Sequence, residues 1–386
     1  MTVPLRRVVI VGNGIAGLTA ADSLRSSGFD GELAIVGAEA RPAYSRPALS
    51  KALLRDDADL AAHELPPAEH GATELLGRAA VALDVDRRRV ALDDGSALEY
   101  DGLVIASGSR ARRLGTGADE LVLRTLDDAL ALRERIAATP DVVVVGGGPL
   151  GMEVASGALA AGCRVTLVTI DEPMAPHLGA HLAALILASA VARGLRVVRT
   201  SAAGIVERDG RSAVVLADGT VVEGDAVVSA VGDIPNTEWL AGSGITPGAR
   251  GALEVDSRGR LRPGIVAAGD VAAVPGSTGH ARSPIWHSAI EQARTAGAAL
   301  LLGDAAPEPR AQPYFWTEQF GLTIRVIGRT PLSGSPELVD GGDPGASALL
   351  RWRHEDGSAT AVAVNYRIPI PRLRRLCEAA PAASLG

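Results

Sequence analysis

Residues 8–24, VVIVGNGIAGLTAADSL, and residues 142–158, VVVVGGGPLGMEVASGA, repeat one pattern. Each is a run of β-branched residues, a glycine turn, and a helix that begins inside the turn. Both turns read GxGxxG, with Gly12, Gly14 and Gly17 in the first copy and Gly146, Gly148 and Gly151 in the second. The first glycine permits the turn and the second lets backbone approach a pyrophosphate. The third lets helix pack on strand, with the anion held at the helix N-terminus. One such turn is a modest signal; two in one chain, each after a strand, make a strong one. The pattern predicts an α/β protein with two Rossmann-like dinucleotide-binding domains.

An acid that hydrogen-bonds a ribose should close the next strand, about 20 residues on. In the first copy ELAIVG is followed by Glu39, which fits. In the second, CRVTLV runs into Thr169, with Asp171 and Glu172 just beyond and no arginine expected nearby to hold a 2′-phosphate. That favours NADH, with NADPH possible. Two dinucleotides on one chain suggest a flavoprotein, with FAD on the first unit and the nicotinamide cofactor on the second. Further strands running into glycine turns agree: YDGLVIASGS (100–109), DAVVSAVGD (225–233) with Gly232, and RPGIVAAGDV (262–271) with Asp270. Asp270 has two open roles, accepting hydrogen bonds from a ribityl chain or capping a helix.

Composition narrows the partners. A net charge of −7 argues against nucleic acid, which requires a concentrated basic surface. No apolar run approaches the roughly 20 residues of a membrane span. The N-terminal MTVPLRRVVIVG runs straight into the glycine turn, unlike a signal peptide. Cys163 and Cys377 lack metal-type spacing, so neither a disulfide scaffold nor a metal site is expected. The expectation is a soluble, cytoplasmic protein whose oligomeric state is open.

These segments, with YSRPALSK (44–51), LRTLDDA (123–129), VGDIPNT and PYFWTEQFG (313–321), occur in the order of the FAD-dependent ferredoxin reductases, which the chain resembles over nearly its whole length. YSRPALSK and PYFWTEQFG are the most specific, being similar to the family's Y-x-RPPLSK and FW-S-D-Q signatures. The resemblance implies a two-dinucleotide-binding flavoprotein fold with a small α+β C-terminal domain. It places an FAD domain at 1–115 and 236–310, an NAD(P) domain at 116–235, and the C-terminal domain at 311–386. Flavin contacts would fall on Gly14, Ala16, Glu39, Arg46, Lys51, Val81, Arg124, Asp270 and Trp286. The nicotinamide cofactor would meet Gly146, Gly148, Leu150, Gly151, Glu153, Thr169 and Gly232. Departures from the family pattern are Ser107 for Thr, Pro284 and Ile285 for Glu-His before Trp286, and Thr169 for an acid.

Lys51 is the only lysine among 38 basic residues, arginine filling every other position. The resemblance puts it beside the flavin N5 edge, paired with Glu153. An ammonium there would stabilise negative charge that develops during hydride transfer, without a planar fork competing for the nicotinamide's space. Glu153, expected in the first turn of its helix, also has an electrostatic role open to it through the helix dipole. Aromatic residues make up only 3% of the chain, yet Tyr314, Phe315, Trp316 and Phe320 cluster. Trp316 is the candidate at the partner-facing surface. Arg294, Arg351, Arg353, Arg372, Arg374 and Arg375 are candidates for steering an acidic iron–sulfur ferredoxin. With no cysteine before residue 163, a flavin-facing redox thiol is not expected. A small-molecule acceptor, or a non-catalytic NADH-sensing role, are the alternatives.

Overall fold

The computed structural model of the chain describes residues 5–51, 54, 63–65, 69–115, 120–208, 211–309, 312–343 and 345–378. It divides into two compact units. The first comprises Met1–Ser45, Asp59–Arg110 and Asp233–Ala311, the second Arg46–Ala58, Ala111–Gly232 and Gln312–Gly386.

In the first unit the run RVVIV forms the strand Arg7–Val11, inside a six-stranded sheet. The strand order is Arg260–Arg262, Ile265–Ala267, Gly102–Ile105, Arg7–Val11, Glu32–Gly37, Thr73–Leu76. Arg7–Val11 is parallel to both neighbours. Its apolar run is continuous because both faces of the sheet are covered. On one face Val8 and Ile10 pack with Ala20, Leu24 and Ala293; on the other Val9 and Val11 pack with Leu103, Leu240 and Leu253. The helices Ile15–Ser26 and Trp286–Leu302 approach closely, since a Cβ on Gly297 would lie 2.7 Å from the Ala20 carbonyl oxygen. Ser23 Oγ donates across them to the Arg294 carbonyl at 2.5 Å.

The second unit repeats the plan. Its strand Asp141–Val145 sits within a wholly parallel five-stranded sheet ordered Arg196–Arg199, Arg164–Thr169, Asp141–Val145, Ala226–Ser229, Glu120–Leu121. The helix Leu126–Ala138 starts from a capping box. Thr125 Oγ1 accepts the Asp128 N–H, and Asp128 Oδ2 accepts the Thr125 N–H at 2.8 Å. Losing such a cap costs about 0.5–2 kcal/mol. Residues from Tyr314 onward form an antiparallel five-stranded sheet followed by the helix Ile370–Arg375, the α+β C-terminal part expected.

One turn of that sheet matters for the site. The strands Tyr314–Gln319 and Leu322–Ile327 join through Phe320 and Gly321, with φ of +48° and +74°. Positive φ at both positions is what a tight hairpin needs, though phenylalanine adopts it at a cost. Tertiary contacts hold it there. The Phe320 N–H donates to Ser156 Oγ at 2.7 Å and its carbonyl accepts from Ser189 Oγ at 2.8 Å. The hairpin is thus fixed to the helix Pro149–Ala160, which carries Glu153.

Candidate functional site

The first glycine turn is shaped for a dinucleotide. Gly12 has φ +121°, and a Cβ there would lie 2.0 Å from the Ala106 carbonyl oxygen. A Cβ on Gly17 would lie 1.9 Å from the Gly12 carbonyl oxygen, so only glycine serves at either position. A Cβ on Gly14, by contrast, would meet nothing within 4 Å. Gly14 is the N-cap of its helix, with no side-chain cap and no acid in the first turn. Open space in front of free helical N–H groups fits a pyrophosphate. Ala16 lies in that first turn, and a Cβ on Gly269 would come 2.9 Å from its Cβ, which brings the AAGD turn and Asp270 alongside. Ser109 Oγ donates to Asp270 Oδ2 at 3.4 Å, and the Asp270 carbonyl accepts from Arg282 Nε at 2.7 Å. Glu39 accepts a 2.6 Å hydrogen bond from the Tyr44 hydroxyl, which orients the carboxylate expected to read a ribose.

The second turn has nearly the same backbone. Gly146 has φ +113°, and Cβ atoms on Gly146 and Gly151 would lie 2.2 Å and 1.9 Å from carbonyl oxygens of Ala230 and Gly146. Gly148 caps the helix, again without a side-chain cap; Pro149 and Leu150 are its first residues. The residues present therefore fit a second pyrophosphate. Gly232, at φ +99°, follows the strand Ala226–Ser229 and accepts the Arg112 N–H through its carbonyl at 3.0 Å.

The ribose edge of this unit differs from the sequence expectation. Thr169 is buried, its Oγ1 donates to the Asp171 carbonyl at 3.1 Å, and a Cβ on Gly147 would be 2.5 Å from that oxygen. Thr169 thus packs under the glycine turn. Strand pairing sets Arg199 opposite Thr169, and its guanidinium lies 3.5 Å from Glu172. An arginine does stand near this edge, supplied by the next strand.

Lys51 and Glu153 form an ion pair, Nζ to Oε2 at 3.0 Å, with side chains only 11% and 5% exposed. The ammonium also lies 3.4 Å from the Pro47 carbonyl and 5.4 Å from the centroid of the Trp316 ring, within cation–π range. Trp316 stacks on Tyr314 at 5.7 Å. Glu153 is the fifth residue of its helix, in the second turn, and no acid occupies the first. The dipole role considered for it falls away, because that field fades beyond the first turn. Stability does not explain the pair either: well-packed apolar replacements for a buried ion pair are often neutral or stabilising by about 1–4 kcal/mol.

The other expected residues occupy varied settings. Arg46, in the short 3₁₀ turn Arg46–Ala48, donates from Nη1 to the Arg124 carbonyl at 2.8 Å, and the Arg124 N–H donates to Asp128 at 2.9 Å. Val81 projects from the strand Ala80–Asp84 and is 50% exposed. Trp286 opens the helix Trp286–Leu302 and is half-buried. Arg294 is exposed and lies 2.6 Å from Glu291. Arg351 and Arg353 share Glu337, at 2.9 and 3.3 Å, which mutes their field. Cys163 is buried, and desolvation, with a smaller push from Asp141, raises its thiol pKa. Sequence reasoning missed Tyr44, Ser50, Thr317 and Gln319. All four lie inside YSRPALSK or PYFWTEQFG, and the signal was a polar residue among apolar or catalytic neighbours.

Comparisons with known proteins find relatives over most of the chain. Residues 6–298 match the family model described as pyridine nucleotide-disulphide oxidoreductase. Rhodocoxin reductase of Rhodococcus erythropolis is 36% identical over 84% of this chain and 78% of its own length. The ferredoxin–NAD(+) reductase component of the biphenyl dioxygenase system of Paraburkholderia xenovorans is 35% identical over 92% of this chain and 89% of its own. Among solved structures, the covalent putidaredoxin reductase–putidaredoxin complex superimposes with a TM-score of 0.84 at 29% identity. It covers 97% of this chain and 94% of that one.

Proposed function

The chain belongs to the pyridine nucleotide-disulphide oxidoreductase family, together with the ferredoxin–NAD(+) reductases, and from that premise we propose that it carries electrons from NADH through FAD to an iron–sulfur ferredoxin. FAD, when bound, accepts a hydride and can release its electrons one at a time. The Gly12–Gly17 turn, Glu39 and Asp270 hold that cofactor; the Gly146–Gly151 turn holds NADH. Lys51 supplies a fixed positive charge that favours hydride transfer, and Glu153 keeps the ammonium in place. Trp316 and Arg294 serve the ferredoxin. The ferredoxin in turn supplies a haem-thiolate monooxygenase or a ring-hydroxylating dioxygenase, and the protein works in the cytoplasm.

The observation that carries this is the sole lysine of the chain, paired with the buried Glu153 on the helix of the second glycine turn. A thiol route is disfavoured by Cys163, whose raised pKa leaves little thiolate at neutral pH. Steady-state reduction of a two-iron ferredoxin, compared with a quinone at matched NADH, tests the acceptor. Faster turnover with the ferredoxin is expected. Equal or faster turnover with the quinone would move the assignment to a small-molecule reductase.

A further inference from the structure

Glu153 is held by more than Lys51. Its Oε2 accepts from Ser50 Oγ as well as from the ammonium, and its Oε1 accepts from Thr317 Oγ1 at 2.6 Å. Gln319 Nε2 in turn donates to Thr317 Oγ1 at 2.8 Å. An amide nitrogen can only donate, so Thr317 uses its lone pair toward Gln319 and its single hydrogen toward Glu153. Thr317 is 0% and Gln319 2% exposed. Gln319 Oε1 is buried with no hydrogen-bond partner among the described residues. An unmet buried acceptor is costly, and apolar residues would serve packing better. What this polar chain does is fix both oxygens of one carboxylate.

We propose that Ser50, Thr317 and Gln319 are positioning residues that clamp Glu153, so that the Lys51 ammonium is held in a single place. Its consequence for turnover rests on the role assigned to Lys51 above. Thr317 lies on the strand Tyr314–Gln319, which the Phe320 turn fastens to the helix of Glu153. The clamp therefore joins three stretches far apart in sequence: 46–51, 149–160 and 314–319.

The single lysine makes a direct test available. Holoprotein labelled with ¹⁵N-lysine gives one side-chain Nζ resonance, and an ammonium locked in an ion pair exchanges its hydrogens with water slowly. Thr317→Val is expected to speed that exchange roughly tenfold and to slow anaerobic hydride transfer roughly tenfold, less than the hundredfold a 1 Å misplacement can cost. Thr317→Ser, which keeps the hydroxyl, should restore both. Ser50→Ala removes the donor to the other oxygen and should speed exchange in the same direction, which covers a Thr317→Val protein that fails to fold. Wild-type exchange in a flavin-loaded Thr317→Val, or in Ser50→Ala if only that variant folds, overturns the clamp. Faster exchange with an unchanged hydride rate upholds the clamp and removes the catalytic role assigned to Lys51.

Discussion

The two glycine turns differ little in backbone and much in side chains. Gly12 and Gly146 have φ of +121° and +113°, and each donates its N–H to the neighbouring strand, at Val36 and Val168, at 2.8 Å. At the fifth helical residue the first copy has Thr19 and the second Glu153. Near the end of the next strand the first has Glu39 held by Tyr44, the second a buried Thr169 with Arg199 and Glu172 nearby. In front of the second glycine the first is open, while the second has His177 Cε1 3.3 Å from where a Cβ would be. One glycine-turn backbone thus occurs twice in the chain, with different side chains around it at three positions.

Filling each turn separates the two units most strongly. Gly14→Val adds bulk where the protein leaves space, at an ordinary extended φ of −103°. The variant should fold and purify with almost no visible flavin absorbance. Gly148→Val should keep its flavin and lose NADH-driven reduction. Flavin retained in the first variant, or lost in the second, would reverse the assignment of the two units.

Next in size is the lysine. Lys51→Ala should slow anaerobic flavin reduction on the order of a hundredfold, as for the loss of one preorganised electrostatic contact. Lys51→Arg should remain impaired, because the fork cannot sit within both the Glu153 contact and the Trp316 face. Trp316→Ala should lower both NADH-driven ferricyanide reduction and ferredoxin-dependent cytochrome c reduction, since Trp316 also touches the ammonium. Arg294→Ala should lower only the second activity, a few-fold, with the loss shrinking as salt shortens the reach of the charge below about 10 Å. A fall in both activities for Arg294→Ala would make that residue structural.

Arg199→Ala should weaken NADPH relative to NADH by only about threefold, because an exposed arginine contributes on the order of 0–1 kcal/mol. The ratio of the two Kd values, measured by titration, checks this. The smallest expected effect is none: iodoacetamide at neutral pH should leave activity unchanged, since burial raises the pKa of both thiols, Cys163 and Cys377. Rapid inactivation would revive a thiol route.

Much of this was legible in the sequence because its signals are local. The glycine turns and their strands follow from short local patterns, while the α+β C-terminal part and the Lys51–Glu153 pair followed from family motifs. What stayed hidden depends on contacts between distant segments. Arg199 reaches Thr169 only through strand pairing, 30 positions along the chain. Thr317 reaches Glu153 from a strand 164 positions along the chain, whose Phe320 turn has positive φ and is fastened at Ser156 and Ser189. The helix turn in which Glu153 lies was misjudged by sequence alone, since the glycine motif does not show that Gly148 serves as the cap. Among the described residues no helix is long and apolar enough to cross a membrane.

The most direct test of the whole account is anaerobic stopped-flow mixing of the purified flavin-loaded protein with NADH, followed by a two-iron ferredoxin. The visible flavin band is expected to bleach rapidly in wild type, roughly a hundredfold more slowly in Lys51→Ala, and to return in the wild type when oxidised ferredoxin is added. A band that NADH bleaches equally fast in Lys51→Ala, or that ferredoxin fails to restore while a quinone does, would contradict it.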